Sequence, residues 1–292
     1  MPAVVRVPGS CGELVQGRID GINFHVTCPV KMFSYLTVDF STSSRKIDCP
    51  VTRKKAAKAV EKTLAFLNGK GIHIKLQVRS QIPVGRGMAS STADITGSCL
   101  AVAAFLGKRI TPSQIARIAS EIEPTDGIMY KGIVCFDHIR GTLIEKLGPP
   151  PPMKILIVDP GGKVDTLCFN RRRDLHILHR VNSKLIKEAY NLVKEGIRKK
   201  DFELVGVGAT LSSLCNQIIL YKPELGKIIS LSRKMGALGV NVAHSGSVMG
   251  VLLPPDFSRI ERLKERIKRE CGNHLRFYFT EVTGEGVSEE NV

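Results

Sequence analysis

The chain has 292 residues, enough for two ordinary domains or one large one. At 43% hydrophobic and 24% charged it holds enough apolar surface to offset the entropy of ordering, which excludes a disordered chain. Its 43 basic against 27 acidic residues leave a net charge of +16 and point to an anionic partner, but aromatics are only 5% and Trp is absent, so nucleic acid finds few stacking platforms.

Residues 3–7 read as a short strand ended by the turn signal Pro8-Gly9-Ser10, and 33–40, rich in β-branched and aromatic residues, as a second strand. Between 54 and 68 the period changes: Ala57, Val60, Leu64 and Leu67 recur at helical spacing, and Asn68-Gly69 is a helix stop. Residues 72–79 alternate strictly, with Ile72, Ile74, Leu76 and Val78 on one face of a half-buried strand. A glycine-rich loop follows over 83–89. Residues 90–106, apolar nearly all round, make a central, buried helix. Thr111-Pro112 opens another helix with an inward stripe of Ile115, Ile118, Ala119 and Ile122, stopped by 123–127. Residues 132–136 and 142–147 are two short strands.

Gly148 and the four prolines after it form a stiff spacer, which divides the chain at 150/151. The second half holds strands at 153–159, 238–243, 247–253 and 275–281. Long helices are expected at 174–200 and 202–220, the latter broken near Gly206 and Gly208, and an amphipathic helix at 255–270. Strands and helices in mixed order with antiparallel hairpins place the chain in the α+β class. The basic runs Lys54-Lys55, Arg171-Arg172-Arg173 and Arg198-Lys199-Lys200 read as solvated helix faces. Eight cysteines, none in a C-x-x-C spacing, argue against a zinc or iron–sulfur centre and for reduced thiols in a cytoplasm. The segment MPAVVRVPGS has no basic stretch followed by an apolar one, and no apolar run nears the roughly 20 residues of a membrane span.

The chemistry concentrates in Pro83-Val84-Gly85-Arg86-Gly87-Met88-Ala89-Ser90-Ser91-Thr92, between a strand and a helix. Glycines let backbone N–H groups converge on an anion, and the following helix points its free N–H groups and positive dipole end at the same place. Ser90, Ser91 and Thr92 add hydroxyls, so the segment reads as a phosphate cradle. The plain alternative is a capped helix after a flexible loop. A Walker A loop is excluded because no G-K-[ST] occurs, and the Rossmann fingerprint fits neither spacing nor setting.

These residues resemble the second motif of the GHMP kinases, a proline followed by a Gly-Leu-Gly-Ser-Ser-Ala type turn opening a helix. Pro8-Gly9-Ser10-Cys11-Gly12-Glu13 resembles the family's first motif and Ala243-His244-Ser245-Gly246-Ser247-Val248-Met249-Gly250 its third, in the expected order along essentially the whole chain. The spellings of the first two motifs, with Glu123-Pro124-Thr125-Asp126-Gly127, are most similar to the branch that phosphorylates L-threonine for cobalamin biosynthesis. The resemblance implies a two-domain fold: an N-terminal domain over 1–150 resembling a ribosomal-protein domain, and a C-terminal ferredoxin-like domain over 151–292. It implies a small-molecule kinase using ATP and Mg²⁺ on L-threonine, with no nucleic acid or membrane partner, and leaves a homodimer open. Another kinase of the family, acting on homoserine or an isoprenoid alcohol, is the alternative; a basic RNA-binding protein is the reading from another class.

The resemblance also implies roles. Residues 83–92 would hold the nucleotide, Ser91 and a helix-borne glutamate the metal; Glu121 is preferred to Glu123 for the latter. Asp126 would accept the proton of the substrate hydroxyl, the alternative being a turn-forming Asp. Arg86 is either a phosphate-binding cation or a solvent-facing loop residue. Glu13, Thr125, Ser245 and Gly246 are substrate contacts, Glu13 as partner of an ammonium. Residues 159–162 with Asp165 and Thr166 would form a wall of the site. His244 is read as a hairpin residue and Asp94 as structural.

Overall fold

The computed structural model describes residues 4–43, 46–69, 71–162, 169 and 171–290. Asp165 and Thr166 lie outside them.

Strands β1 (Val4–Ile19) and β2 (Ile22–Phe40) form one long antiparallel hairpin, turned at Asp20-Gly21 with both φ angles positive. Pro8-Gly9-Ser10, expected to end the first strand, lies inside it. The turn formers are absorbed as irregularities, with register shifts at Pro8/Gly9, Ser10/Glu13 and Glu13/Val15. These shifts bend β1 so that Ser10 donates its N–H to the Met88 carbonyl at 3.0 Å and Glu13 stands opposite Val242 of the second half.

The strands β4 (Ile74–Ser80), β5 (Ile133–Asp137), β7 (Lys154–Asp159), β8 (Gly239–Val242), β9 (Met249–Leu253) and β10 (Arg276–Glu281) match the sequence reading closely, as does β6 (Thr142–Gly148). A two-residue β3 (Ile47–Asp48) and a closing β11 (Ser288–Glu290) were not foreseen. Among the described residues they make one sheet, β10-β7-β9-β8-β1-β2-β4-β3, with β11 on β1 and the β5–β6 hairpin on β2. β1 is thus the seam between the two halves of the chain.

Helices α1 (Lys54–Phe66), α2 (Ser90–Phe105) and α3 (Pro112–Ser120) pack around the first half. α2 is buried on nearly every side, as its composition demands, with Ile95, Cys99 and Val102 wholly enclosed. Residues 174–200 are not one helix: α4 (Leu175–Val181) and α5 (Ser183–Lys199) meet at Asn182, whose amide donates to the Cys215 carbonyl. α6 (Phe202–Asn216) is unbroken at its glycines. They let the helix press onto its neighbours: a Cβ on Gly206 would sit 2.1 Å from the Leu238 carbonyl oxygen. Leu225–Lys234 forms a further helix, α7, and Ile260–Cys271 the last, α8. No helix among the described residues is long and apolar enough to cross a membrane.

Candidate active site

A cavity of about 500 Å³ opens at the N-terminus of α2, and all three motif segments meet at it. The loop before α2 brings Gly85, Gly87 and Met88 to the wall, and residues 51–56 supply a rim that includes Arg53, Lys54 and Lys55. At its other end lie Glu13, His25, Asp126, His138 and His244.

Ala89 takes the position before α2 in a left-handed conformation (φ 57°), and no side chain caps the helix there. The first-turn N–H groups are therefore not occupied by a side-chain cap. This favours the anion cradle over the capped-helix alternative. The loop is held from behind by the hairpin turn between β8 and β9: Ser247 and Val248 both donate N–H to the Arg86 carbonyl, at 3.1 and 3.3 Å. Gly87 (φ +82°) lies so close to that turn that a Cβ would stand 2.4 Å from the Ala243 Cβ, and one on Gly246 would meet the Gly87 Cα at the same distance. Gly246 thus presses on the back of the loop rather than lining the cavity, while Ser245 reaches the lining.

Arg86 is neither a free phosphate cation nor a solvent-facing residue. Its side chain turns to the fully buried Asp159, with Nε 3.3 Å from Oδ2, and donates to the Gly162 carbonyl. That accounts for residues 159–162 packing near the loop without forming the cavity wall. Pro83 also falls outside the lining, whereas Val84 joins it.

Ser91 donates its hydroxyl hydrogen bond to Glu123 Oε1, and Lys55 Nζ donates to Glu123 Oε2. The preference for Glu121 is corrected by this geometry. Glu121 has its side chain half exposed and pairs outward with Lys62 at 2.6 Å. Glu121 follows the last turn of α3 on its solvent side, whereas the chain turns inward two residues later and buries Glu123. Thr92, also on the cavity lining, ties this end of α2 to the segment after α3: its Oγ1 accepts from Thr125 Oγ1 at 3.3 Å and lies 3.5 Å from the Asp126 N–H. Thr92 and Thr125 therefore fix the 123–127 segment on α2, which aims Asp126 into the cavity. Asp94 is held by Ser34 and Arg53 and also reaches the cavity lining.

Asp126 keeps 20% of its side chain exposed toward the cavity, with Oδ1 3.4 Å from His25 Nδ1. Burial pushes its carboxyl up to about 6, opposed by the nearby His138. Glu13, beside it and wholly buried, is raised well above its ordinary value by burial, with the Asp126 charge adding to it. His25 is driven down to about 3 by burial, with the neighbouring His179 adding to it, and His244 falls well below its ordinary value for the same first reason. Both rings are neutral at pH 7. His25 lies flat on His138 (centroids 3.7 Å, planes 7° apart) with His244 at 4.4 Å.

The sequence offered no signal for His25 on β2 or His138 just after β5, since isolated histidines carry no spacing rule. Lys55 was read with Lys54 as a solvated helix face. Both are exposed at the start of α1, but Lys55 also reaches Glu123.

The cavity has two chemical ends. Cations and free helix N–H groups line one, which suits phosphate; buried acids and neutral imidazoles line the other, which suits a polar small molecule carrying a hydroxyl and a positive charge.

The model of the GHMP kinases N terminal domain matches residues 52–132, and that of the GHMP kinases C terminal matches 193–273. The L-threonine kinase of Salmonella typhimurium is 35% identical over 269 residues, covering 91% of this chain and 87% of that protein. The L-threonine kinase of Citrobacter freundii is 31% identical over 265 residues, with 90% of each chain covered. In three dimensions the chain resembles a homoserine kinase of Cytophaga hutchinsonii (TM-score 0.75, 16% identity, 99% of this chain and 97% of that one). It also resembles the Methanococcus jannaschii mevalonate kinase (TM-score 0.71, 16% identity, 96% and 98%).

Proposed function

The chain belongs to the GHMP kinases, and from that premise we propose that it transfers the γ-phosphoryl group of ATP to the side-chain hydroxyl of L-threonine, yielding O-phospho-L-threonine and ADP. The observation that carries this reading is the two-ended cavity, with a phosphate cradle at one end and Asp126 at the other. The family-model matches lie on either side of the proline spacer, in keeping with a division at 150/151 into two domains.

The loop glycines and the N-terminus of α2 bind the phosphates, and Lys55 and Arg53 at the rim add positive charge. Ser91 and Glu123 present hard oxygen donors side by side, a set that fits Mg²⁺, and these are the residues that would hold it. A bound Mg²⁺ neutralises phosphate charge. The substrate ammonium lies against the Glu13–Asp126 pair, and its hydroxyl against Asp126. As the threonine oxygen bonds to the γ-phosphorus, the bond from that phosphorus to the β,γ-bridging oxygen breaks. ADP leaves with the electron pair, and the hydroxyl proton passes to Asp126 Oδ. The motif resemblance would place the product in cobalamin biosynthesis.

ADP release measured with threonine, serine and homoserine under equal conditions tests the reading. Threonine is expected to give the highest kcat/KM. A preference for homoserine or an isoprenoid alcohol would move the chain to another branch of the family, and no turnover with any alcohol would refute a kinase of this kind.

A further inference from the structure

The three imidazoles that line the cavity have no part in the phosphoryl transfer described above, yet they converge on one point. One ring nitrogen from each of His25, His138 and His244 lies within 4.8 Å of those of the other two, and all three residues are buried. In two of the rings an oxygen already faces Nδ1. The Gln16 amide is oriented by its Nε2 donating to the Val242 carbonyl at 3.1 Å, so its Oε1 faces His244 Nδ1 at 2.8 Å, and that nitrogen carries the proton. Asp126 Oδ1 stands 3.4 Å from His25 Nδ1. The ring proton of each is thereby drawn to Nδ1, and the lone pair is left on Nε2. This is the arrangement of a metal-binding histidine backed by a carboxylate or an amide oxygen. His25 Nε2 is buried and finds no hydrogen-bond partner in the protein, and neither does Glu13 Oε2. Orphaned buried atoms of this kind call for a ligand.

We propose that His25, His138 and His244 form a second cation site, distinct from the Ser91–Glu123 oxygen pair, for a borderline divalent ion such as Zn²⁺ or Co²⁺, and that its occupation closes the hydroxyl end of the cavity. Imidazole nitrogens suit such ions, whereas Mg²⁺ prefers the oxygens. Bonds of about 2.0–2.1 Å bring ligand nitrogens to roughly 3.4 Å of one another in a tetrahedral ion. The His138 ring must therefore tilt out of its stack on His25, toward the open cavity. With the ion in place, the space beside Asp126 no longer admits an amino alcohol. The effect on turnover rests on the threonine reading above; the binding itself does not.

The test is a titration of Co²⁺ into the full chain in saturating Mg²⁺, followed by visible absorption and proton NMR. Visible bands saturating at one equivalent are expected, with paramagnetically shifted imidazole N–H resonances and no near-ultraviolet thiolate band. His138→Asn and His244→Gln, each checked for a native melting temperature, are expected to weaken Co²⁺ at least tenfold. Absence of the bands in the unaltered chain overturns the site. So does a thiolate band, which would place the ion on a cysteine such as the part-exposed Cys49 or Cys271, and so does undiminished affinity in both variants. Should either variant fail to fold, the shifted imidazole resonances of the unaltered chain decide alone. Threonine is expected to displace Co²⁺ competitively. Co²⁺ bound with the imidazole signature but indifferent to threonine supports the site and counts against threonine at this end of the cavity.

Discussion

Gly87→Ala tests the contact on which the phosphate loop is built. Two costs combine at this position. A non-glycine residue in the left-handed region costs about 1–2 kcal/mol. The added Cβ would also lie 2.4 Å from the Ala243 Cβ and 2.8 Å from the Gly246 Cα, an overpacking worth about 1–3 kcal/mol. The sum, about 2–5 kcal/mol, corresponds to a melting temperature lowered by roughly 4–20 °C. If the hairpin turn yields instead, the cost appears as weaker ATP binding, because the loop and the turn separate. Gly71→Ala is the control: its φ is +83°, against +82° at Gly87, but no atom lies within 4 Å of its Cβ position. Gly71→Ala should therefore show only the backbone cost, about 1–2 kcal/mol, with ATP affinity intact. Differential scanning calorimetry and a nucleotide-binding titration on both variants give the comparison. Equal behaviour of the two, or a Gly87→Ala protein with unchanged melting temperature and ATP affinity, would refute the close approach of loop and turn.

Asp126→Asn keeps the shape and removes the proton acceptor; kcat should fall by about 10²–10⁴-fold while ATP affinity stays. A change confined to KM for threonine would reduce Asp126 to a positioning residue. Glu123→Gln should raise the Mg²⁺ concentration needed for half-maximal turnover, whereas Glu121→Gln should leave the magnesium titration where it was; the reverse result returns the metal to Glu121. Arg86→Met strands the buried Asp159 and should destabilise the fold by about 3–5 kcal/mol, with Asp159→Asn in the same chain restoring much of it. Loss of ATP affinity at full stability would instead make Arg86 a phosphate ligand.

Legibility of the site followed the range of the interactions involved. Gly87 and Ser91 stood out because a phosphate loop needs small residues, hydroxyls and a helix start within one short stretch, and that order is local; the role expected of Asp126 rested on the resemblance of residues 123–127 alone. Glu121 and Glu123 could not be separated, since both stand beside the end of α3. Which one enters depends on how the chain turns after Ser120 and on Ser91 and Lys55 waiting inside. Arg86 was equally undecidable, because Asp159 is more than seventy residues away in sequence. The turn expected at Pro8-Gly9-Ser10 failed for a related reason: the same residues serve a β-bulge when a long partner strand is available, and that partner is β2.

Local periodicity determined α1, α3 and most of the strands, since hydrophobic spacing reports which face is buried without reference to what buries it. Composition determined that α2 would be central, as a helix with no polar face has nowhere else to be. Tertiary structure alone decided that β1 would join both halves of the chain, that Glu13 and Asp126 would share one buried corner, and that three histidines from β2, the loop after β5 and the β8–β9 turn would meet there. Such meetings are set by long-range pairing and by desolvation at the point of contact. Neither leaves a periodic trace in the residues concerned.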